Sequence, residues 1–247
     1  MERPKKVRRH QLKLDMLAQP DDATCGPTCL HALYRYHGLE LPLETLIRDV
    51  PKLENGGTLG VHLANDALRR GYRATLYTYN LQVFDPTWFA PRPLSVEALT
   101  AKLAAQARAK TSVRLRHACA AYADFLALGG RVRSEVLSGR LIRKYLNQNL
   151  PILTGLSSTY LYEAMREFGP DDEDDDIRGT PSGHFVVLAG YDRKDREVLI
   201  ADPLQSNPHS ATRRYSIGID RVIASILLGV LTYDANLIII EPTSPAP

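Results

Sequence analysis

Apolar residues near the start of this chain follow a helical period. Positions spaced i, i+3, i+4 and i+7 carry the apolar or aromatic side chains of Leu30, Leu33, Tyr34 and His37. Pro27 suits the first turn of such a helix, and Gly38 suits the left-handed residue that ends one. The pattern predicts a helix over about residues 25–37, entered from a polar loop.

Later segments combine further helical patterns with short apolar runs. Helical spacing predicts helices at about residues 58–70, 95–130, 138–149 and 221–228. Short apolar or alternating runs predict strands at about residues 73–79, 151–156, 181–192, 197–202 and 234–241. This order predicts an α+β fold, in which an N-terminal helical part packs against an antiparallel sheet and a helical block at about 95–149 is added.

Two of the predicted strands form a hairpin. Residues 181–192 and 197–202 are separated by a tight turn, so they pair as antiparallel neighbours. His184 stands near the start of the first strand and Asp202 at the end of the second. The hairpin therefore brings His184 and Asp202 side by side.

Charge and composition exclude several classes of protein. The 247 residues carry a net charge of +3, and the excess of basic residues lies in residues 1–14, which we predict to be a flexible tail before a single domain at 15–242. No aromatic residues interleave with these basic ones, so nucleic acid is not an expected partner. No secretory signal and no apolar run of ~18 residues is present, which predicts a cytoplasmic protein without a membrane span.

Three cysteines are too few for a disulfide framework, which favours a reducing compartment. Cys25 and Cys29 are spaced for neither a redox pair nor a zinc site, although a weak metal site with His31 stays open. We expect no metal and no cofactor, and we interpret Cys29 and Cys119 as packing residues.

Cys25 is the candidate nucleophile because it lies at the predicted start of a helix. Unpaired N–H groups and the helix dipole stabilise a thiolate at this position. His184 can deprotonate the thiol, and Asp202 can orient the imidazole. Gln19 can supply a side-chain N–H beside the backbone N–H of Cys25, where an oxyanion would form.

These residues carry a resemblance to a known family. Gln19, the Cys25-Gly-Pro opening of the helix, the Gly183-His184 strand and the Asp202-Pro203 pair are similar to the bacteriocin-processing, double-glycine cysteine peptidases, the thirty-ninth family of cysteine peptidases. The resemblance implies a papain-like fold and a peptide or protein substrate. It also implies Cys25 as nucleophile, His184 as base, Asp202 as orienting acid and Gln19 in the oxyanion hole.

We therefore expect a stand-alone cysteine peptidase or amidase that cleaves a peptide or isopeptide bond through a thioester. An acyl or peptidyl transferase would use the same residues, and a non-catalytic module that binds a leader peptide is a further alternative. The acidic run at residues 171–176 predicts a solvated, mobile loop or, alternatively, a lid that selects cationic substrates. The sequence does not indicate the oligomeric state.

Overall fold

The computed structural model describes residues 9–53 and 56–243. Its helices are α1 Cys25–Tyr36, α2 Leu43–Asp49, α3 Gly60–Arg69, α4 Val96–Ala109, α5 Val113–Ala127, α6 Gly139–Leu146, α7 Ser158–Tyr162 and α8 Ile219–Leu228. Its strands are β1 Arg9–Gln11, β2 Arg73–Thr78, β3 Arg131–Arg133, β4 Ile152–Ser157, β5 Glu167–Phe168, β6 Glu173–Asp174, β7 Gly183–Asp192, β8 Glu197–Ala201, β9 Arg214–Gly218 and β10 Asn236–Glu241.

A single large sheet forms the centre of the described part of the chain. Its strands follow the order β3-β2-β10-β4-β7-β8-β9, and β1 pairs with the far end of β7. All neighbours are antiparallel except β2 and β3. The predicted α+β class, with its N-terminal helices and an antiparallel sheet, is confirmed.

Helices cover both faces of this sheet. Along β10, Ile238 and Ile240 pack with residues of α1 to α5, whereas Leu237 and Ile239 pack with residues of α6, α7 and α8. Successive side chains of a strand point to opposite faces, so a strand between two helical layers is apolar at every position. This explains why residues 237–240 of β10 form a continuous apolar run in the sequence.

The segment at 95–149 is not one helical block. Helices α4 and α5 pack on the face that carries α1 and α3, while α6 packs on the opposite face. Between them β3 joins the edge of the sheet beside β2. The strand escaped prediction because Arg131-Val-Arg133 has a single apolar residue, and only Val132 is turned toward the core.

The prediction of a flexible tail over residues 1–14 is wrong for residues 9–14. Strand β1 pairs with residues Gly190 to Asp192 of β7, and Leu12 donates its backbone N–H to Ala189 O at 2.8 Å. Leu12 and Leu14 are buried, which fixes this segment by apolar burial as well as pairing. The first eight residues of the predicted tail lie outside the described residues.

Helix α1 follows the prediction closely. It begins at Cys25, and Gly38, two residues after its end, has φ +85°, the left-handed conformation that glycine adopts without strain. Leu30, Leu33 and Tyr34 are fully buried. Within residues 9–53 and 56–243, every helix is too short or too polar to cross a lipid bilayer.

Candidate active site

Cys25 is the first residue of α1 and lies beside the start of β7. Within the described chain no side chain caps this end, because the hydroxyl of Thr24 donates to Asp21 O instead. Gly26 allows the helix to approach its neighbours: a Cβ there would lie 2.9 Å from Thr58 Cγ2 and 3.3 Å from Phe185 Cδ2. The thiol of Cys25 therefore lies at the positive end of the helix and close to the start of β7.

His184 is the second residue of β7, and its side chain lies between Cys25 and Asp202. Nε2 lies 2.9 Å from Asp202 Oδ1, and the ring is also hydrogen-bonded to the side chain of Cys25. Because Nε2 of His184 is hydrogen-bonded to Asp202, the hydrogen bond to the thiol of Cys25 uses the other ring nitrogen, Nδ1. The hairpin of β7 and β8 predicted from the sequence thus brings His184 and Asp202 into contact.

The surroundings of His184 favour its protonated form. Burial alone would disfavour the charge, but the negative charge of Cys25 and the hydrogen bonds to Asp202 and Cys25 outweigh it and raise the pKa of His184 to about 10. A protonated His184 lies in hydrogen-bonding contact with the thiol of Cys25 on one side and with Asp202 on the other.

Asp202 is fully buried and accepts four hydrogen bonds. Oδ1 accepts from His184 Nε2 and from the backbone N–H of Leu204, both at 2.9 Å. Oδ2 accepts from the hydroxyls of Tyr162 at 2.6 Å and Tyr215 at 2.5 Å. Burial raises the pKa of Asp202. The hydrogen bond from His184, the positive charge of His184 and the hydrogen bonds from the two tyrosines outweigh burial and lower the pKa to about 2.

The sequence analysis missed Tyr162 and Tyr215, whose hydroxyls hold Asp202 in the candidate site. Tyr162 ends the short helix α7, and Tyr215 lies on β9, opposite Ile200 of β8. Burial and the charge of Asp202 raise the pKa of both phenols, so both remain neutral donors. The alternation of β9 could have shown that Tyr215 points inward, but no local pattern marks Tyr162.

Gln19 lies on the loop that leads into α1 and is 6% exposed. Its backbone N–H donates to Pro203 O at 2.9 Å, which ties this loop to the segment that carries Asp202. Its Nε2 donates to Asp21 O at 3.1 Å, while its Oε1 has no partner among the described residues. Gln19 and His184 line the same cavity.

The other two cysteines are buried packing residues. Cys29 is fully buried and its Sγ lies 3.2 Å from Phe185 O, to which it donates. Burial, followed by the charges of Cys25 and Asp202, raises the pKa of Cys29 well above its ordinary value. Burial also raises the pKa of Cys119. These two thiols therefore stay protonated, whereas Cys25, also buried at 7% exposed, lies at the helix N-terminus beside His184.

His31 does not join the cysteines in a metal site. Its Nε2 lies 3.0 Å from Leu41 O, and burial lowers its pKa. Within the described ranges, no three His, Cys, Asp or Glu side chains are grouped closely enough to hold a metal ion.

The acidic run forms part of a small hairpin rather than a featureless loop. Strands β5 and β6 pair through Glu167 with Asp174 and Phe168 with Glu173, and residues 171–174 are exposed. Arg178 pairs with Asp175 across the following turn. The hairpin lies beside the candidate site, because Asp171 and Asp172 line the same cavity as His184.

Part of the chain that contains the candidate site is similar to a known protein family. Residues 122–223 match the model of the Peptidase_C39 like family. The match confirms the resemblance drawn from the motifs, and it covers His184, Asp202, Tyr162 and Tyr215. Cys25 and Gln19 lie before the matched segment. A search of curated protein sequences gives no match.

Several solved structures are similar to this chain at low sequence identity. A double-glycine-motif protease from an AMS/PCAT transporter, solved with its leader peptide, is 14% identical, covers 96% of this chain and 97% of its own, and has a TM-score of 0.44. The peptidase domain of Streptococcus ComA, a bifunctional ABC transporter, is 11% identical, with 94% and 100% covered and a TM-score of 0.44. A protein from Bacillus anthracis described as a C39-like peptidase is 13% identical, with 96% and 100% covered and a TM-score of 0.47.

Proposed function

We propose that this protein is a papain-like cysteine peptidase or amidase that acts on a peptide or protein substrate. The thiolate of Cys25 attacks the carbonyl carbon of the scissile bond, and the imidazolium of His184 gives its proton to the departing amine. A thioester to Cys25 results. Water then attacks the thioester, His184 takes the proton of the water, and the acid product leaves with Cys25 restored.

Asp202 and Gln19 have supporting roles in this scheme. Asp202 keeps the His184 ring oriented through Nε2 and stabilises the imidazolium. The amide of Gln19 and the backbone N–H of Cys25 donate to the oxyanion that forms at the attacked carbonyl. Because Gln19 Nε2 donates to Asp21 O in the free protein, its second N–H is the one available to substrate.

One observation carries the proposal: a single histidine is hydrogen-bonded to a cysteine at a helix N-terminus and to a buried, ionised aspartate. A binding module would need none of these relationships, because holding a peptide requires no thiolate and no oriented imidazole. The match to the Peptidase_C39 like family over the segment that holds His184 and Asp202 supports the same chemistry.

The first test uses a mixture of internally quenched peptides with the wild-type chain and with Cys25→Ala. We expect turnover by the wild type, at least a 1000-fold loss in Cys25→Ala, and ordinary turnover in Cys119→Ala, a matched loss of a thiol away from the site. Mass spectrometry of the products, with and without an added amine, distinguishes hydrolysis from transfer. Turnover that survives in Cys25→Ala would contradict the proposal.

A second test needs no substrate. Iodoacetamide at pH 6 should alkylate Cys25 much faster than Cys29 or Cys119, because thiolate is the reactive form and the other two are buried and protonated. Peptide mapping measures the three rates separately. If iodoacetamide alkylates the three cysteines at equal, slow rates, the proposed ion pair of Cys25 and His184 is wrong.

A further inference from the structure

A polar cavity of about 370 Å³ opens next to His184. Gln19, Gly183 and His184 form the wall nearest the candidate active site. Around the rest of the cavity, four acidic residues contribute to the lining, namely Asp22, Glu167, Asp171 and Asp172. Neither lysine nor arginine occurs among the described residues that line it, so the cavity carries negative charge beside the reacting atoms.

The arginines of the neighbouring hairpin do not neutralise these acids. Arg178 pairs with Asp175, and Arg166 donates to the backbone oxygen of Asp176. Within the described part of the chain, no ion pair involves the four acids of the cavity. Burial raises the pKa of Glu167, and the charges of Asp172, Asp22 and Asp174 raise it further, which reflects repulsion between neighbouring carboxylates.

Gln19 provides a second and independent sign of a missing ligand. Gln19 is buried, with 6% of the residue exposed, and it lines the cavity. The carbonyl oxygen Oε1 is buried without a hydrogen-bond partner among the described residues. A buried acceptor left unsatisfied is costly, so a donor from outside the protein would be favoured there.

We propose that this cavity binds the positively charged side chain of a lysine or arginine of the substrate, on the leaving-group side of the scissile bond. The proposal rests on the proposed function, because it needs the substrate to be attacked by Cys25. His184 gives its proton to the departing amine, so the cavity that His184 lines lies where the residue after the cleaved bond sits. An ammonium or guanidinium supplies both the positive charge that the acids need and a donor for Gln19.

The experiment measures the rate at which Cys25 reacts with three methanethiosulfonates that differ in charge. The probes are the 2-(trimethylammonium)ethyl, methyl and 2-sulfonatoethyl reagents, and each rate is divided by the rate of the same reagent with 2-mercaptoethanol. We expect the corrected ratio of cationic to anionic rates to be at least 10, and to fall several-fold in 0.5 M NaCl.

The matched variants remove two negative charges in different places. Glu167→Gln with Asp172→Asn should lower the ratio at least 3-fold. Glu40→Gln with Asp195→Asn should keep it, because Glu40 follows the far end of α1 and Asp195 lies in the turn at the far end of β7. A ratio near 1, or an equal loss in both double variants, would overturn the cationic site.

The outcomes also separate this inference from the proposed function. If Cys25 reacts with the neutral methyl reagent no faster than Cys29 and Cys119, both fail. If Cys25 is fast but indifferent to charge, the peptidase stands and the cationic site falls. Quenched peptides with lysine directly after or directly before the cleaved bond then test the side: preference only for lysine before the bond would overturn the leaving-group assignment.

Discussion

The hydroxyl of Tyr215 lies 2.5 Å from Oδ2 of Asp202, while His184 contacts Oδ1 of the same carboxylate. Tyr162 donates to Oδ2 as well. A carboxylate can face one histidine in several orientations, but these additional donors fix its plane and favour its charge. Asp202 thus orients His184 through Oδ1, while the two tyrosines fix Asp202 through Oδ2.

Tyr215→Phe should lower kcat by ~10-fold or more, because a hydrogen bond to a charged group contributes ~1.5–3 kcal/mol. Loss of this donor also raises the pKa of Asp202, so the acid limb of the pH profile of kcat/KM should move to higher pH. Steady-state kinetics from pH 2 to 9 measure both effects. Tyr191→Phe is the matched control, because its hydroxyl donates to Asn147, away from the site. An acid limb that stays in place would contradict the role of Tyr215.

Asp202→Asn should change how stability depends on acid. The folded pKa of about 2 lies below the ordinary 3.8, so the unfolded chain takes up the proton first as pH falls. The contribution of Asp202 is therefore present above about pH 4 and is lost as the pH falls through 2, and it amounts to about 2 kcal/mol. The gap in unfolding free energy between the wild type and Asp202→Asn should narrow by that amount between pH 5 and pH 2.

Urea denaturation at several pH values measures this gap. Asp195→Asn, in an exposed turn, should follow the wild type throughout. A gap that stays constant down to pH 2 would show that Asp202 is not stabilised as a carboxylate in the folded protein.

Asp234→Asn should affect the pH dependence of stability in the opposite direction to Asp202→Asn. Asp234 is buried, and burial raises its pKa to about 7, although the hydrogen bond from the Gly60 N–H and the charge of Arg114 lower it in part. The folded protein holds a proton on Asp234 between pH 3.8 and 7 that the unfolded chain has lost, so stability falls as the pH rises through this window.

Asparagine keeps an oxygen for the Gly60 N–H, which lies 2.7 Å from Asp234 Oδ1, but carries no charge. Asp234→Asn should therefore gain up to about 4 kcal/mol relative to the wild type between pH 4 and pH 8. Denaturant unfolding at pH 4, 6 and 8 compares the two proteins. Parallel stability curves would mean that Asp234 is ionised throughout.

Gln19→Ala should lower kcat by ~100- to 1000-fold with little change in KM, because an oxyanion donor acts mainly in the transition state. Alkylation of Cys25 by iodoacetamide should change far less, since no oxyanion forms in that reaction. Gln148→Ala, at an exposed glutamine two residues after the end of α6, serves as the control. If turnover and the alkylation rate of Cys25 fall equally, Gln19 is needed for the folded site rather than for stabilising the oxyanion.

Local patterns predicted the parts of the fold that depend on neighbouring residues. The bounds of α1, the hairpin of β7 and β8 and the contact of His184 with Asp202 all follow from spacing and turn signals within short segments. The pairing of β7 with β8 could be predicted because a tight turn fixes the register of the two strands it joins.

Long-range pairings escaped prediction because no local signal marks them. Arg9 to Gln11 and Arg131 to Arg133 are polar segments, and they become strands only because an open edge of the sheet lies beside them. Tyr162 and Asp202 are 40 residues apart, so their contact depends on the packing of α7 rather than on any motif.

The hydrogen bond from Cys29 Sγ to Phe185 O joins residues that are 156 apart in the chain. It fastens α1 to β7 one helical turn from Cys25 and one residue from His184. During synthesis, a chain that has emerged only as far as α6 holds Cys25 but neither His184 nor Asp202. The contact between Cys25 and His184 therefore forms only after β7 has folded against α1.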